Sequence, residues 1–187
     1  MHLMRKSSVP VMILNPNQTE LPKKILVPID VSHHLEKEEF NRAIVDLAGF
    51  VAQQFDSEIH LLAVWQLEGE EVIRSSPLLN IGEERIQIMT ERIENKAESS
   101  LKSLAKHMKT AFALNCEPSI HLSKGNANIV IPEFVQDHQI EMIVMGTVGR
   151  AGIPGLFIGN TAEVVLSTVD CSVLTTKPAG FVTPVAM

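Results

Sequence analysis

The sequence predicts an α/β domain built on an open, doubly wound, five-stranded parallel sheet, with an extra strand at its N-terminus. Three observations lead there. Between about residues 23 and 178, short apolar runs alternate with segments of helical periodicity, the pattern of a parallel sheet covered on both faces. Two of the runs, ILVPI and MIVM, are apolar almost without interruption, as strands buried on both sides are. The third observation is IVMGTVGRAGIPGLFIGNTAEVVL, Ile143 to Leu166, where glycines crowd between the end of a strand and the start of a helix.

In chain order, the first element is the odd one. RKSSVPVMILNPN (Arg5 to Asn17) resembles STVDCSVLTTKPA (Ser167 to Ala179): each has a polar lead, a Val-containing apolar strand and a proline. It reads as the last strand of a preceding domain, joined by the linker PNQTELP. An extra edge strand or a disordered tail is the alternative, because so short a match is weak evidence of a repeat. KKILVPID (Lys23 to Asp30) is the first strand of the domain, an apolar run that ends in an acid. FNRAIVDLAGFVAQQF follows as a helix, with Phe40, Ile44, Leu47, Val51 and Phe55 on one stripe. SEIHLLAVW (Ser57 to Trp65) is the second strand, and LEGEEVIRSSPLLNIGEE, with Pro77 and Gly82, reads as a long loop.

A long helix from about Glu83 to about Ala111 carries Ile86, Ile93, Ala97, Leu101, Leu104 and Met108 as its core stripe. PSIHLSKG (Pro118 to Gly125) is the third strand. NIVIPEFVQDHQ is expected to be helical with Pro132 near its first turn, where a missing N–H is tolerated. IEMIVMG is the fourth strand, NTAEVVLSTVD a short helix and CSVLTTKP the fifth strand. The organisation is a strand and linker over 1–22, the domain over 23–178 and a tail over 179–187.

Composition narrows the function. Aromatic residues make up 4% of the chain and tyrosine is absent, so stacking platforms for single-stranded nucleic acid are scarce. The net charge of −6 repels nucleic acid and anionic membranes. Neither is expected as a partner, and a phosphate ligand must be held by local geometry. No stretch approaches the roughly 18 apolar residues of a membrane span. The N-terminal apolar run contains Pro10 and lacks a cleavage pattern, so it is not read as a signal peptide. Cys116 and Cys171 form no CxxC and are expected as reduced thiols of a cytoplasmic protein.

Asp30 and Gly146 close the first and fourth strands at their carboxyl ends. Open α/β sheets bind ligands outside those ends, where the strand order reverses. With the order 3-2-1-4-5, both residues face one crevice. Gly146 keeps a Cβ out of it, and Gly149 permits positive φ and close backbone approach. Gly159 precedes a helix start, with Asn160 expected as N-cap and Glu163 three residues on, as in a capping box. Such an N-terminus is an anion site. The Arg150 guanidinium suits a phosphate, and Asp30 suits ribose hydroxyls. An outward Glu163 would oppose a phosphate.

The spacing G146-x-x-G149, nine residues, then G159-N160 resembles the nucleotide-binding pattern of the universal stress protein family. KILVPIDVS and CSVLTTKP resemble the family's opening and closing strands, over about Lys23 to Pro178. GTVGRAGIPGLFIGNTAE is especially similar to the C-terminal domain of a tandem member. The resemblance implies the 3-2-1-4-5 sheet, dimer-like pairing through edge strands and adenine-nucleotide binding. Carried over, Pro28, Ile29 and Asp30 line the adenosine side, with Ala63 or Val64 near the base. Met145, Gly146, Gly149, Arg150, Gly159, Asn160 and Thr161 line the ribose-phosphate side. ATP with Mg²⁺ is the implied cofactor. Asn160 stands where ATP binders often have serine, and Ala162 replaces a hydroxyl residue, which leaves ADP, AMP or no nucleotide as alternatives.

Other candidates have bland readings. His33 and His34 fit a solvated loop, and His60 and His121 fit hydrogen-bonded structural positions in strands. The sequence contains no HExxH, EF-hand, Walker A or G-x-S-x-G motif. No general base is evident beside the phosphate position, so binding with at most slow ATP hydrolysis is expected, not enzyme chemistry. The competing reading is an interaction domain that acts through dimerisation or another small ligand.

Overall fold

The computed structural model describes residues 4, 6–31, 35–75, 81–147 and 158–181. In chain order its elements are β1 (Val11–Ile13), β2 (Lys24–Ile29), α1 (Leu35–Phe55), β3 (Glu58–Trp65), α2 (Glu70–Ser75), α3 (Glu83–Ala111), β4 (Ser119–Lys124), α4 (Ala127–Asp137), β5 (Met142–Gly146), α5 (Asn160–Thr168) and β6 (Ser172–Thr176). They build one six-stranded sheet in the order β1-β6-β5-β2-β3-β4. Strands β2 to β6 pair in parallel, in the order expected for the five domain strands. The difference lies at one edge, where β1 pairs antiparallel with β6 and makes the sheet mixed.

Strand periodicity divides the interior into two layers. Ile25, Val27, Leu61, Ala63 and Val144 point to one face, where Val45, Ala48, Leu101 and Met108 of α1 and α3 cover them. Leu26, Leu62, Ile143 and Val173 point to the other, under Ile131, Phe134 and Val135 of α4 and Val165 of α5. Both faces are therefore apolar, which is why the central strands read as continuous hydrophobic runs. Close helix packing uses missing side chains. A Cβ on Gly49 would meet the Phe112 ring at 2.5 Å, and one on Gly146 would meet the Phe40 ring at 2.5 Å.

Two local expectations change. The expected long loop after β3 contains α2. Its first turn holds Glu70 and Glu71 and its last turn holds Arg74, both favourable to the helix dipole. Glu70 is bonded by Arg74 at 2.9 Å and by Lys124 at 2.7 Å, and these two cations hold its carboxyl below the usual range. Six residues are too few to show a helical period. In α4, Asn126 is the cap, accepting from Asn128 N at 2.9 Å, so the helix starts early enough to put Pro132 in its interior. Pro132 removes the bond that would reach the Asn128 carbonyl.

The N-terminal segment is tied to the sheet edge by more than β1. Asn15 N donates to Ser172 Oγ at 3.0 Å, Asn15 Nδ2 donates to the Asp170 carbonyl at 3.0 Å, and Ser172 Oγ donates to Gln18 Oε1 at 2.6 Å. Cys171 lies buried beside this junction, and burial pushes its thiol up to about 12, whereas Cys116 is exposed. Ser172 is itself buried. Ser172→Ala deprives both Asn15 N and Gln18 of their partner and is expected to cost about 1–3 kcal/mol. Hydrogen exchange of β1 amides checks it: protection should fall at Val11–Ile13 before it falls in β2.

Candidate functional site

The chain runs from β2 outward to β3 and β4, then crosses to β5 and β6 on the other side. The reversal leaves a crevice between β2 and β5. Their pairing covers only Ile25–Leu26 with Met142–Ile143, while β2 pairs β3 over its whole length. Pro28 has no N–H with which to carry the β5 ladder on. A cavity of about 760 Å³ opens there, bordered by Pro28, Ile29 and Gly146. That volume suits a ligand the size of a cofactor.

The start of α5 forms one wall. Gly159, Asn160 and Thr161 all border the cavity. The cap is Gly159, at φ −59° and ψ 145°, and among the described residues no side-chain cap hydrogen bond is made there. Asn160 is thus the first helical residue, not the N-cap the capping-box reading expects. Helix geometry leaves the N–H groups of Asn160, Thr161 and Ala162 without intrahelical partners. Gly159 N is engaged, donating to the Thr147 carbonyl at 2.7 Å. Among the described residues, then, the wall is a positive helix end with no side-chain cap at Gly159.

Asp30 borders the cavity at the end of β2. Its carboxylate accepts from Lys37 Nζ at 2.6 Å, and its carbonyl accepts from Asn41 Nδ2 at 2.8 Å. Lys37 and Asn41 also border the cavity. Both project from the first two turns of α1, and the sequence reading missed them because they pair across a loop. Thr147 is a further omission. It borders the cavity, is 1% exposed, and its Oγ1 is buried with no hydrogen-bond partner among the described residues. A buried hydroxyl without a partner is costly. Its only sequence signal was its place directly after Gly146.

The apolar wall comes from Leu62 and Val64 of β3 with Ile131 of α4. Val64 is thus at the cavity, but Ala63 is not: strand alternation turns it into the core under α1 and α3. Met145 is likewise in the core, beneath α4 and α5. Gly149 and Arg150 lie outside the described residues. Among the described residues no cluster of three or more His, Cys, Asp or Glu could hold a metal, and no helix is long and apolar enough to cross a membrane.

A model described as the universal stress protein family matches residues 22–177. Universal stress protein E homolog of Haemophilus influenzae is 30% identical over 179 residues, covering 95% of this chain and 55% of that protein. Universal stress protein E of Escherichia coli K12 is 28% identical over 191 residues, covering 100% of this chain and 56% of that protein. The chain thus spans about half the length of these two relatives. Among solved structures, a functionally unknown protein from Pseudomonas aeruginosa PAO1 superposes with a TM-score of 0.69 at 25% identity, over 94% of this chain and 54% of that one. Universal stress protein UspA from Lactobacillus plantarum shares the fold with a TM-score of 0.66 at 20% identity, over 85% and 99% of the two chains.

Thr147→Val tests the unpartnered hydroxyl. Replacing it by a methyl removes an unsatisfied polar group, so stability should hold or rise by about 1 kcal/mol. Thermal denaturation reads the change, and a loss of more than that amount would reveal a partner for Oγ1.

Proposed function

The chain belongs to the universal stress protein family, and from that premise we propose that it is an adenine-nucleotide-binding regulatory module of the stress response, not an enzyme. One observation carries the reading: a helix N-terminus without a side-chain cap at Gly159 opens on the cavity beside the buried Thr147 hydroxyl, which has no partner among the described residues. A phosphate would satisfy the N–H groups that helix geometry leaves at the start of α5. The ribose belongs at Asp30, whose carboxylate accepts from hydroxyl donors. The base belongs against Leu62, Val64 and Ile131. Arg150 would add charge on the phosphate side.

These residues fit ATP, ADP or AMP. Mg²⁺ would enter bound to the phosphates, neutralising their charge. Asp30 already carries an ion pair with Lys37, so it is poorly placed to act as a base, and slow hydrolysis at most is expected. Nucleotide occupancy would bias contacts with a partner. A homodimer is the proposed assembly. Exposed Val9, Met12 and Leu14 on the N-terminal edge favour such contacts, and they also support the second reading, a domain that acts through this edge with no nucleotide.

Denaturing the purified protein and analysing the supernatant by nucleotide chromatography with mass detection is the primary test. A stoichiometric adenine nucleotide is the expected result. An empty extract, with no thermal shift on adding ATP, ADP or AMP with Mg²⁺, would favour the second reading. Gly159→Asp adds a sign test. Aspartate is a good N-cap, so the melting temperature should hold or rise slightly, while its charge at the phosphate position should abolish the nucleotide-induced shift.

A further inference from the structure

Three imidazoles and a phenyl ring cluster on the α4 face of the sheet, toward the amino ends of β3 and β4. His60 Nδ1 and His121 Nε2 lie 3.0 Å apart, one donating to the other. Their rings stack with centroids 5.2 Å apart. From α4, Phe134 meets His121 edge-on at 4.8 Å and stacks on His138 at 3.8 Å. His138 Nδ1 donates to the Phe134 carbonyl at 3.2 Å, and its ring lies 5.5 Å from that of His121. The remaining nitrogen of His60, Nε2, is buried and has no partner among the described residues. None of these groups touches the cavity, and nothing in the nucleotide reading uses them.

Such a pair is built for one protonation state. While neutral, it needs one N–H between the two rings. A first proton leaves that bond in place but, on His60, puts an N–H at Nε2, which has no acceptor among the described residues. A second leaves two N–H groups facing each other, with cations about a ring-stack apart. The groups that act on His60 are Lys24 from β2, Glu58 from β3, His121 from β4 and His138 from α4. Only Glu58 favours the charged form. Lys24 and His138 are also linked, since Lys24 Nζ donates to the His138 carbonyl at 3.2 Å.

We propose that the His60–His121 pair is a proton-binding site linked to the cavity through α4, so that charging the pair loosens α4 and weakens ligand binding. The linkage follows from the helix itself. Phe134 packs on the imidazoles, while Ala127 and Ile131, one to two turns earlier, border the cavity. A ligand that rests on Ile131 favours the docked helix, and the docked helix favours the neutral pair. By reciprocity, ligand must then oppose protonation as much as protonation opposes ligand. The cavity half of this proposal rests on the nucleotide reading above; the proton-binding half does not.

The direction is set by burial. It lowers both imidazoles below the ordinary histidine value, with His121 acting next on His60 and His138 next on His121. A group with a depressed folded pKa that is neutral in the native state contributes its full stability above the unfolded value of about 6.5. That contribution is lost as pH falls through the folded value. Proton binding is therefore expected on the acid side of about pH 6.5.

Histidine ring resonances, followed by NMR on the full chain from about pH 8 to about pH 5, test the site without any ligand. His60 and His121 should titrate below the ordinary value, and ordinary, independent midpoints would overturn the proton site. Adding ATP should lower both midpoints. Unchanged midpoints in a protein that shows an ATP thermal shift would overturn the linkage alone. No thermal shift with any adenine nucleotide would sink the nucleotide reading and, with it, the linkage. ATP affinity should be about tenfold weaker at about pH 5.5 than at about pH 7.5, the equivalent of one linked pKa unit. His60→Gln/His121→Gln should flatten that dependence, with the titration of ATP itself common to both proteins. An equally steep dependence in the double variant would count against the proposal. Should that variant not fold, the midpoints of the unmodified protein decide.

Discussion

The early end of the β2–β5 ladder governs this molecule. Two central strands that stayed paired to their tips would leave no room between them. Pairing stops after Leu26 with Ile143, and Pro28 supplies no N–H beyond it. Past that point the two segments become wall instead of sheet: Asp30 on one side, Thr147 and the start of α5 on the other. The ladders from β2 to β3 and from β5 to β6 continue to Ile29 and Gly146, so the opening costs each of the two strands pairing on one side only. The alternation that fills two cores also sorts the walls, sending Val64 to the cavity and Ala63 to the interior.

The two covering layers differ in what they bring to that opening. From the α1 side come Lys37 and Asn41, a cation and an amide that fix Asp30 from two directions. The α5 side brings bare backbone and the Thr147 hydroxyl. Among the described residues, one wall is thus satisfied internally and the other is not. A ligand gains most from the unsatisfied wall, because groups already paired must first give up a bond. The α4 side contributes apolar surface at one end of its helix and the His138 imidazole just past the other.

Much of this was legible before the structure. Uninterrupted apolar runs identified the buried strands, and the glycine spacing located the crevice and the start of α5. The strand order and the place of Asp30 came from the family resemblance and the carboxyl-end rule. What failed was local or long-range. Asn160 looked like a cap because the S/T/N-x-x-E pattern marks the residue before a helix, yet the chain enters the helix one residue earlier through Gly159. Ala63 and Met145 were carried over by position, and one residue of strand reverses the face. α2 is too short to show a period. Pairings such as Lys37 with Asp30 or His60 with His121 depend on backbone placement that no local pattern encodes.

The two thiols give the domain an internal contrast in chemical accessibility. Cys116 is open to solvent, while Cys171 is enclosed beside the β1–β6 junction with its thiolate strongly disfavoured. The thiolate is the form that attacks thiol reagents, so modification of the folded chain is confined to Cys116. Cys171 becomes reactive only when the edge of the sheet opens. The rate of its modification is therefore a clock for exposure of the β1–β6 junction, readable by mass in the unaltered protein with Cys116 as the internal reference for an open thiol.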